Sequence, residues 1–168
     1  SLVYYNAEEL TVIQSSPFEC TPLKRVVFGE NVKVVPNNLF RDLSSLESIS
    51  ISNTDIQFEY NAFSNCKSVK IFDVPNIETW CNLTIGGFNP LSHGGVLRID
   101  GQLRYELVIA ESVSTIGEKK FYKSGIKTLT IGQSITEIDN SSFAQCDSLK
   151  IVTLGKNIKT IGNCAFKG

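Results

Sequence analysis

Apolar and polar positions along this chain follow a unit that recurs about every 23 residues. Phenylalanine sets the register. Phe18, Phe40 and Phe63 are 22 and 23 residues apart, and Phe121, Phe143 and Phe166 repeat the same two intervals. Six of the ten Phe residues share this phase, which chance placement would not produce. With Phe at position 17 of a unit counted from 0, units begin at Ser1, Leu23, Leu46, Val69, Arg104, Ile126 and Leu149. Position 3 is then Val26, Ile49, Phe72, Leu107, Leu129 or Val152, and position 5 is Phe28, Ile51, Val74, Ile109, Ile131 or Leu154. Position 12 is Ile13, Val35, Phe58, Cys81, Ile116, Ile138 or Ile161. Position 9 is Leu10, Val32, Val113, Ile135 or Ile158, and it slips by one to Ile56 and Ile77 in two units.

Positions 3 and 5 alternate with more polar neighbours, which predicts a short strand with one buried face. Position 6 (Gly29, Ser52, Pro75, Ala110, Gly132, Gly155) is small or turn-prone and predicts a turn. Positions 9 and 12 face the core again from the other side. Pro36, Gly117 or Gly162 then marks a second turn, and a short helical or 3₁₀ piece is expected to carry the Phe inward. No single unit can bury its apolar face alone. Stacked coils bury all of them as ladders of like residues.

These segments resemble the leucine-rich repeat in its BspA-like variety. The best matches are Ile126-Lys-Thr-Leu-Thr-Ile-Gly132, Ile135-Thr-Glu-Ile138 and Ser142-Phe143-Ala-Gln-Cys146-Asp-Ser-Leu149. The last unit repeats them as Leu149-Lys-Ile-Val-Thr-Leu-Gly155, Ile158-Lys-Thr-Ile-Gly162 and Ala165-Phe166. Arg104 departs from the usual Leu, and the Asn ladder of ordinary leucine-rich repeats is irregular here (Asn31 and Asn157 only). The resemblance implies a repeat solenoid: a leucine-rich-repeat-like right-handed coil with a parallel sheet of short strands. One domain, residues 1–168, is expected, as a fragment or processed form of a longer protein. Its last coil would be continued by the longer chain or packed end to end against a neighbour, since solenoid ends need cover.

One unit is irregular. From Val69 to Leu103 it is twelve residues longer than a 23-residue coil, and it leaves register after Cys81. The insertion, within 82–103, contains Asp100-Gly101 between two alternating apolar runs, which predicts a β-hairpin with a type I′ turn. The only Trp (Trp80) and the only His (His93) lie at or in this segment. Two roles stand open: a binding loop protruding from the solenoid, or a buttress for an imperfect coil with Trp80 filling it.

Composition narrows the chemistry. Sixteen Lys and Arg against seventeen Asp and Glu give a net charge of −1, so no basic surface for nucleic acid is expected. No apolar run reaches the roughly 18 residues of a membrane span. The five Cys form no CxxC pair, so a metal site is not expected, and Cys66 and Cys146 share position 20, where a small buried thiol packs well. His93 sits in a Gly-rich loop without a nucleophile motif, and Gly86-Gly87 and Gly94-Gly95 open no helix after a strand. Glu8-Glu9 reads as a solvated pair. Asn82-Leu-Thr84 and Asn140-Ser-Ser142 match the glycosylation acceptor pattern. Neither an enzyme nor a cofactor is expected.

A binding surface is expected instead on the sheet, at positions 2 and 4. Those residues are Arg25 and Val27, Ser48 and Ser50, Ile71 and Asp73, Glu106 and Val108, Thr128 and Thr130, Ile151 and Thr153. Arg25, Ser48, Ser50, Asp73, Glu106, Thr128, Thr130 and Thr153 are its candidate ligand-binding residues. Thr and Val also favour strands for local reasons. The resemblance implies a cell-surface or secreted module that adheres to host or neighbouring-cell macromolecules, either protein or glycan. A structural spacer that displays other domains is the alternative.

Overall fold

The structure is a computed structural model that describes residues 2–5, 17–18, 21–85 and 88–168. Ser1, Leu10, Ile13, Cys20, the Glu8-Glu9 pair and Gly86-Gly87 lie outside the described residues. The chain winds as a β-solenoid of about six turns, roughly 23 residues apart, with little helix. The first turns carry β1 (Leu2–Tyr5), β2 (Arg25–Phe28), β3 (Val34–Val35), β4 (Ser48–Ile51), β5 (Gln57–Phe58) and β6 (Ile71–Val74). The irregular unit adds α1 (Ile77–Asn82), a 3₁₀ turn at Pro90–His93, β7 (Val96–Ile99) and β8 (Gln102–Leu103). Then follow β9 (Glu106–Ile109), β10 (Thr115–Ile116), β11 (Thr128–Ile131), β12 (Glu137–Ile138), β13 (Ile151–Thr153) and β14 (Thr160–Ile161).

β2, β4, β6, β9 and β11 carry positions 2 to 5 of their units and β13 positions 2 to 4, and they pair in parallel, in the register set by the repeat. Val26 lies opposite Ile49, and Leu129 lies opposite both Leu107 and Val152. The short strands end at position 12 and pair on a second side, Val35 with Phe58 and Ile138 with Ile116 and Ile161. Between them lies one continuous core that includes Val26, Phe28, Val32, Val35, Ile109, Val113, Ile116, Ile135 and Ile138, all fully buried. The shifted position-9 residues Ile56 and Ile77 are buried as well.

The phenylalanines stack as the repeat predicts. Neighbouring ring centres are 5.1 Å apart for Phe18–Phe40, 5.3 Å for Phe40–Phe63, 5.0 Å for Phe121–Phe143 and 5.3 Å for Phe143–Phe166, with planes within 9° of parallel. The segment that carries them is not the expected helical or 3₁₀ piece. It is a run of turns in which positions 15 and 19 are left-handed: Lys119 (φ 54) and Lys123 (φ 60), then Ser141 (φ 55) and Gln145 (φ 56). A helix would satisfy its N–H groups internally. Here the N–H groups alternate: Lys120, Tyr122 and Ser124 donate within the turns to Gly117, Lys119 and Phe121, and those between them reach the next coil. Lys119, Phe121 and Lys123 donate to the carbonyls of Asn140, Ser142 and Ala144 at 3.2, 2.8 and 3.0 Å. Stacking thus brings a third ladder of main-chain hydrogen bonds.

A turn begins at position 6 as expected, with the Val32, Val113 and Ile158 N–H groups donating back to the Gly29, Ala110 and Gly155 carbonyls, and close packing adds a second reason for small size there. Neither Gly132 nor Gly155 has positive φ. A Cβ on Gly132 would stand 2.8 Å from the Ile109 carbonyl oxygen, and one on Gly155 would collide with the carbonyl of Gly132. Successive turns touch backbone to backbone there, and a side chain would force them apart.

The irregular unit replaces the missing Phe with two aromatics of its own. Trp80 is fully buried, 5.3 Å from Phe72 and 6.5 Å from Phe121, and Phe88 lies 5.6 Å from Phe63. Three hydrogen bonds tie the segment to the following coil: Ser112 Oγ to Glu78 Oε1 (3.0 Å), Asn89 Nδ2 to the Lys119 carbonyl (2.7 Å) and Lys120 Nζ to the Leu83 carbonyl (2.5 Å). The Asp100-Gly101 hairpin forms with both φ angles positive, 52° and 69°, as a type I′ turn requires. Its first strand does more than expected. β7 pairs in parallel with β6 and so forms a full rung of the sheet. Its second strand, β8, runs antiparallel and ends the ladder. One uninterrupted sheet is therefore not formed. The long strands make two, β1-β2-β4-β6-β7-β8 and β9-β11-β13.

Candidate interaction face

In β2, β4, β6, β9 and β11 the odd-numbered positions turn into the core and the even-numbered positions turn out. β2 and β9 show this alternation most clearly, with Val26, Phe28, Leu107 and Ile109 buried and Arg25, Glu106 and Val108 exposed. Strand geometry requires it, because successive side chains point to opposite faces of the pleat. Parallel register then lines the outward side chains into rows. On the first sheet, Arg25, Ser48, Ile71 and Val96 form one row, and Val27, Ser50, Asp73 and Arg98 form the other. On the second sheet, the rows are Glu106, Thr128 and Ile151, and Val108, Thr130 and Thr153.

All eight candidate residues face outward, in two groups. Arg25, Ser48, Ser50 and Asp73 share the first sheet, while Glu106, Thr128, Thr130 and Thr153 share the second. The face also includes Val96 and Arg98, which the repeat register does not mark because they belong to the irregular unit. Alternation in Val96-Leu-Arg-Ile99 signals the strand, yet only the pairing with β6 shows that it joins the face. The second sheet is the more apolar surface, with Val108 64% and Ile151 59% exposed.

The other candidate chemistry resolves as packing. Cys66 is buried and its thiol donates to the Phe40 carbonyl at 2.9 Å, while that of Cys146 donates to the Phe121 carbonyl at 3.1 Å. Position 20 is thus a thiol-to-backbone link between coils. Burial pushes the Cys66 thiol up to about 12, so it is neutral at physiological pH. His93 is exposed beside the same groove as Cys66, and its Nδ1 lies 3.4 Å from the Asn89 carbonyl. A neutral thiol already bonded to a carbonyl is not an activated nucleophile. Cys66, Cys81, Cys146 and Cys164 are free thiols. No group of three or more His, Cys, Asp or Glu among the described residues could hold a metal ion. Ser142, in the second glycosylation pattern, is fully buried, and its hydroxyl donates to the Asp139 carbonyl at 2.7 Å.

Lys120 carries no signal in the sequence. It is 5% exposed, its ammonium lies 4.9 Å from the centre of the Trp80 ring, and it holds the carbonyl that follows α1. Burial lowers its pKa from 10.5 to about 8, and the nearby Cys81 opposes that drop.

Stacked aromatics, backbone ladders on several sides and outward rows of strand residues define a repeat-protein scaffold of the leucine-rich class. The sequence profile of the BspA type leucine rich repeat region matches this chain in six copies, over residues 4–84 and 103–168. The chain belongs to that family. The stretch between the two matches, residues 85–102, falls within the irregular unit. Among curated proteins nothing matches the chain. Solenoids of this family are typically binding scaffolds of surface or secreted proteins. Among the described residues no helix is long and apolar enough to cross a membrane.

Proposed function

We propose that the chain is a non-enzymatic adhesion module of a cell-surface or secreted protein, and that it binds macromolecules of a host or neighbouring cell through the outward rows of its long strands. The supporting observation is the second sheet, where Glu106, Thr128, Thr130 and Thr153 stand in register around exposed Val108 and Ile151. Charges are few there, and each row has one exposed apolar side chain. Such a surface can desolvate against an extended partner at small electrostatic cost. A backbone clamped at every coil also loses little entropy on binding.

The test replaces Thr128, Thr130 and Thr153 together with Lys and measures attachment to immobilised matrix proteins, cells and glycans. Loss of attachment with unchanged circular dichroism supports the adhesion face. Full attachment by the folded triple variant overturns it and leaves the spacer alternative. Retention on one class of coated surface and loss on another identifies whether protein or glycan is the partner.

A further inference from the structure

The irregular unit breaks the ladder of main-chain hydrogen bonds that joins one run of turns to the next. Before the break, Phe40 and Asp42 donate to the Ala62 and Ser64 carbonyls at 2.9 and 2.8 Å. Beyond it, Ser141, Phe143 and Gln145 donate to the carbonyls of Asn163, Ala165 and Lys167 at 2.9, 2.8 and 2.6 Å. The corresponding N–H groups of the unit that begins at Leu46 are those of Asn61, Phe63 and Asn65. They have no hydrogen-bond partner among the described residues. No run of turns follows them in register, because α1 and the 3₁₀ turn at Pro90–His93 take its place. The ring of Phe88 packs on Phe63 there instead, 5.6 Å away.

A groove of about 340 Å³ lies at this break, lined by Tyr60, Asn61, Ser64 and Asn65 from one coil and by Phe88 and His93 from the irregular unit. Its volume is that of a small-molecule site, for which roughly 300–1,000 Å³ is usual. Tyr60 is 70% exposed, more than any other large hydrophobic side chain among the described residues. The side chains of Tyr60, Asn61 and Ser64 make no hydrogen bond among the described residues. Asn65 uses only its amide nitrogen, which donates to Asp42 Oδ1 at 2.6 Å, so its side-chain oxygen is open. No Asp or Glu lines the groove, and Lys67 is its one Lys or Arg.

We propose that this groove binds one pyranose ring of a glycan. The C–H face of the sugar lies against the Tyr60 ring, and its hydroxyl groups bond the open main-chain N–H groups and the Asn61, Ser64 and Asn65 side chains. Amide and hydroxyl side chains both give and accept hydrogen bonds, as sugar hydroxyls do. A carboxylate or phosphate oxygen only accepts, and it would leave the Asn61 and Asn65 side-chain oxygens unmatched. Tyrosine has an apolar ring with a polar tip, which suits a ligand that is apolar on its ring face and polar around its edge. The backbone of the site is already held, since Ala62, Ser64 and Cys66 donate within the turns at 3.0, 3.1 and 3.2 Å, so little order is lost on binding. The groove occupies positions 14 to 19 of its coil, away from positions 2 and 4 of the long strands, and it does not depend on the face proposed above.

The experiment titrates the ¹⁵N-labelled full chain with the methyl glycosides of glucose, galactose, mannose and N-acetylglucosamine, and with a blocked tri-alanine peptide for comparison. Saturable shifts at the amides of Asn61, Phe63 and Asn65 are expected with at least one glycoside. Tyr60→Ala should weaken that binding roughly tenfold, whereas Tyr60→Phe keeps the ring face and should retain most of it. Asn61→Ala is a second variant and should weaken binding severalfold. Circular dichroism checks that each variant is folded. Absence of saturable shifts with every glycoside overturns the site, as does binding unchanged in folded Tyr60→Ala and Asn61→Ala. Equal or stronger shifts with the peptide overturn it too, because they would make the groove a main-chain site. The Thr128, Thr130 and Thr153 to Lys variant should titrate like wild type; loss of the shifts in that folded variant would move the sugar to the sheet and overturn the groove. A silent titration alongside Thr-dependent attachment removes the groove alone and leaves the adhesion face standing.

Discussion

Lys120 offers a sharp test of how the irregular unit is held. Its ammonium is buried against Trp80 and bonded to the Leu83 carbonyl, with no carboxylate paired to it among the described ion pairs. The folded protein therefore binds this proton less tightly than the unfolded chain does. A fall from 10.5 to about 8, at about 1.4 kcal/mol per pH unit, is worth about 3 kcal/mol. Between those two values the unfolded state holds more protons, so stability rises with pH across this window. Below about pH 8 the full penalty of burying the charge applies, and above 10.5 it is gone. Burial pushes Cys81 up to about 12, so its folded-state thiol stays neutral throughout and its unfolded contribution cancels between variants. The perturbation is Lys120→Met, which keeps the length and apolar bulk of the stem. The assay is urea denaturation of both proteins at pH 7, 8, 9 and 10, and the quantity of interest is wild type minus variant. That difference should climb by up to about 3 kcal/mol in favour of wild type as pH rises. Parallel pH profiles would refute the reasoning, because they would mean that Lys120 keeps an ordinary pKa in the folded state.

Three further outcomes follow from the packing. Phe143→Ala removes a fully buried ring stacked on both faces, at 5.0 and 5.3 Å, and should cost about 3–5 kcal/mol in denaturant unfolding; a loss under about 1 kcal/mol would contradict the aromatic ladder. Gly132→Ala should cost about 1–3 kcal/mol, since its Cβ meets a backbone oxygen that cannot swing aside, while Gly125→Ala should be nearly neutral. With iodoacetamide at neutral pH, mass spectrometry should show Cys164 modified before Cys66 and Cys146, which react only as the protein unfolds; early labelling of Cys66 would show that its coil opens locally.

The repeating unit, its register and the positions that enter the core are all legible in the order of residues. Period-two alternation at positions 3 and 5 needs only local strand geometry, and the equal spacing of Phe18, Phe40 and Phe63 forces like residues onto one another once coils stack. The same local logic made Asp100-Gly101 legible as a hairpin turn, and it placed Thr128, Thr130 and Thr153 on the outside. How the irregular unit rejoins the solenoid is fixed by long-range packing. Nothing near Val96 in the chain specifies that β7 lies beside β6, because that choice depends on how Trp80 and Phe88 fill the interior across a long loop. The division into two sheets and the burial of Lys120 both follow from that docking. They join residues far apart in sequence whose individual identities look like ordinary surface, and a one-dimensional pattern carries no distances between such residues.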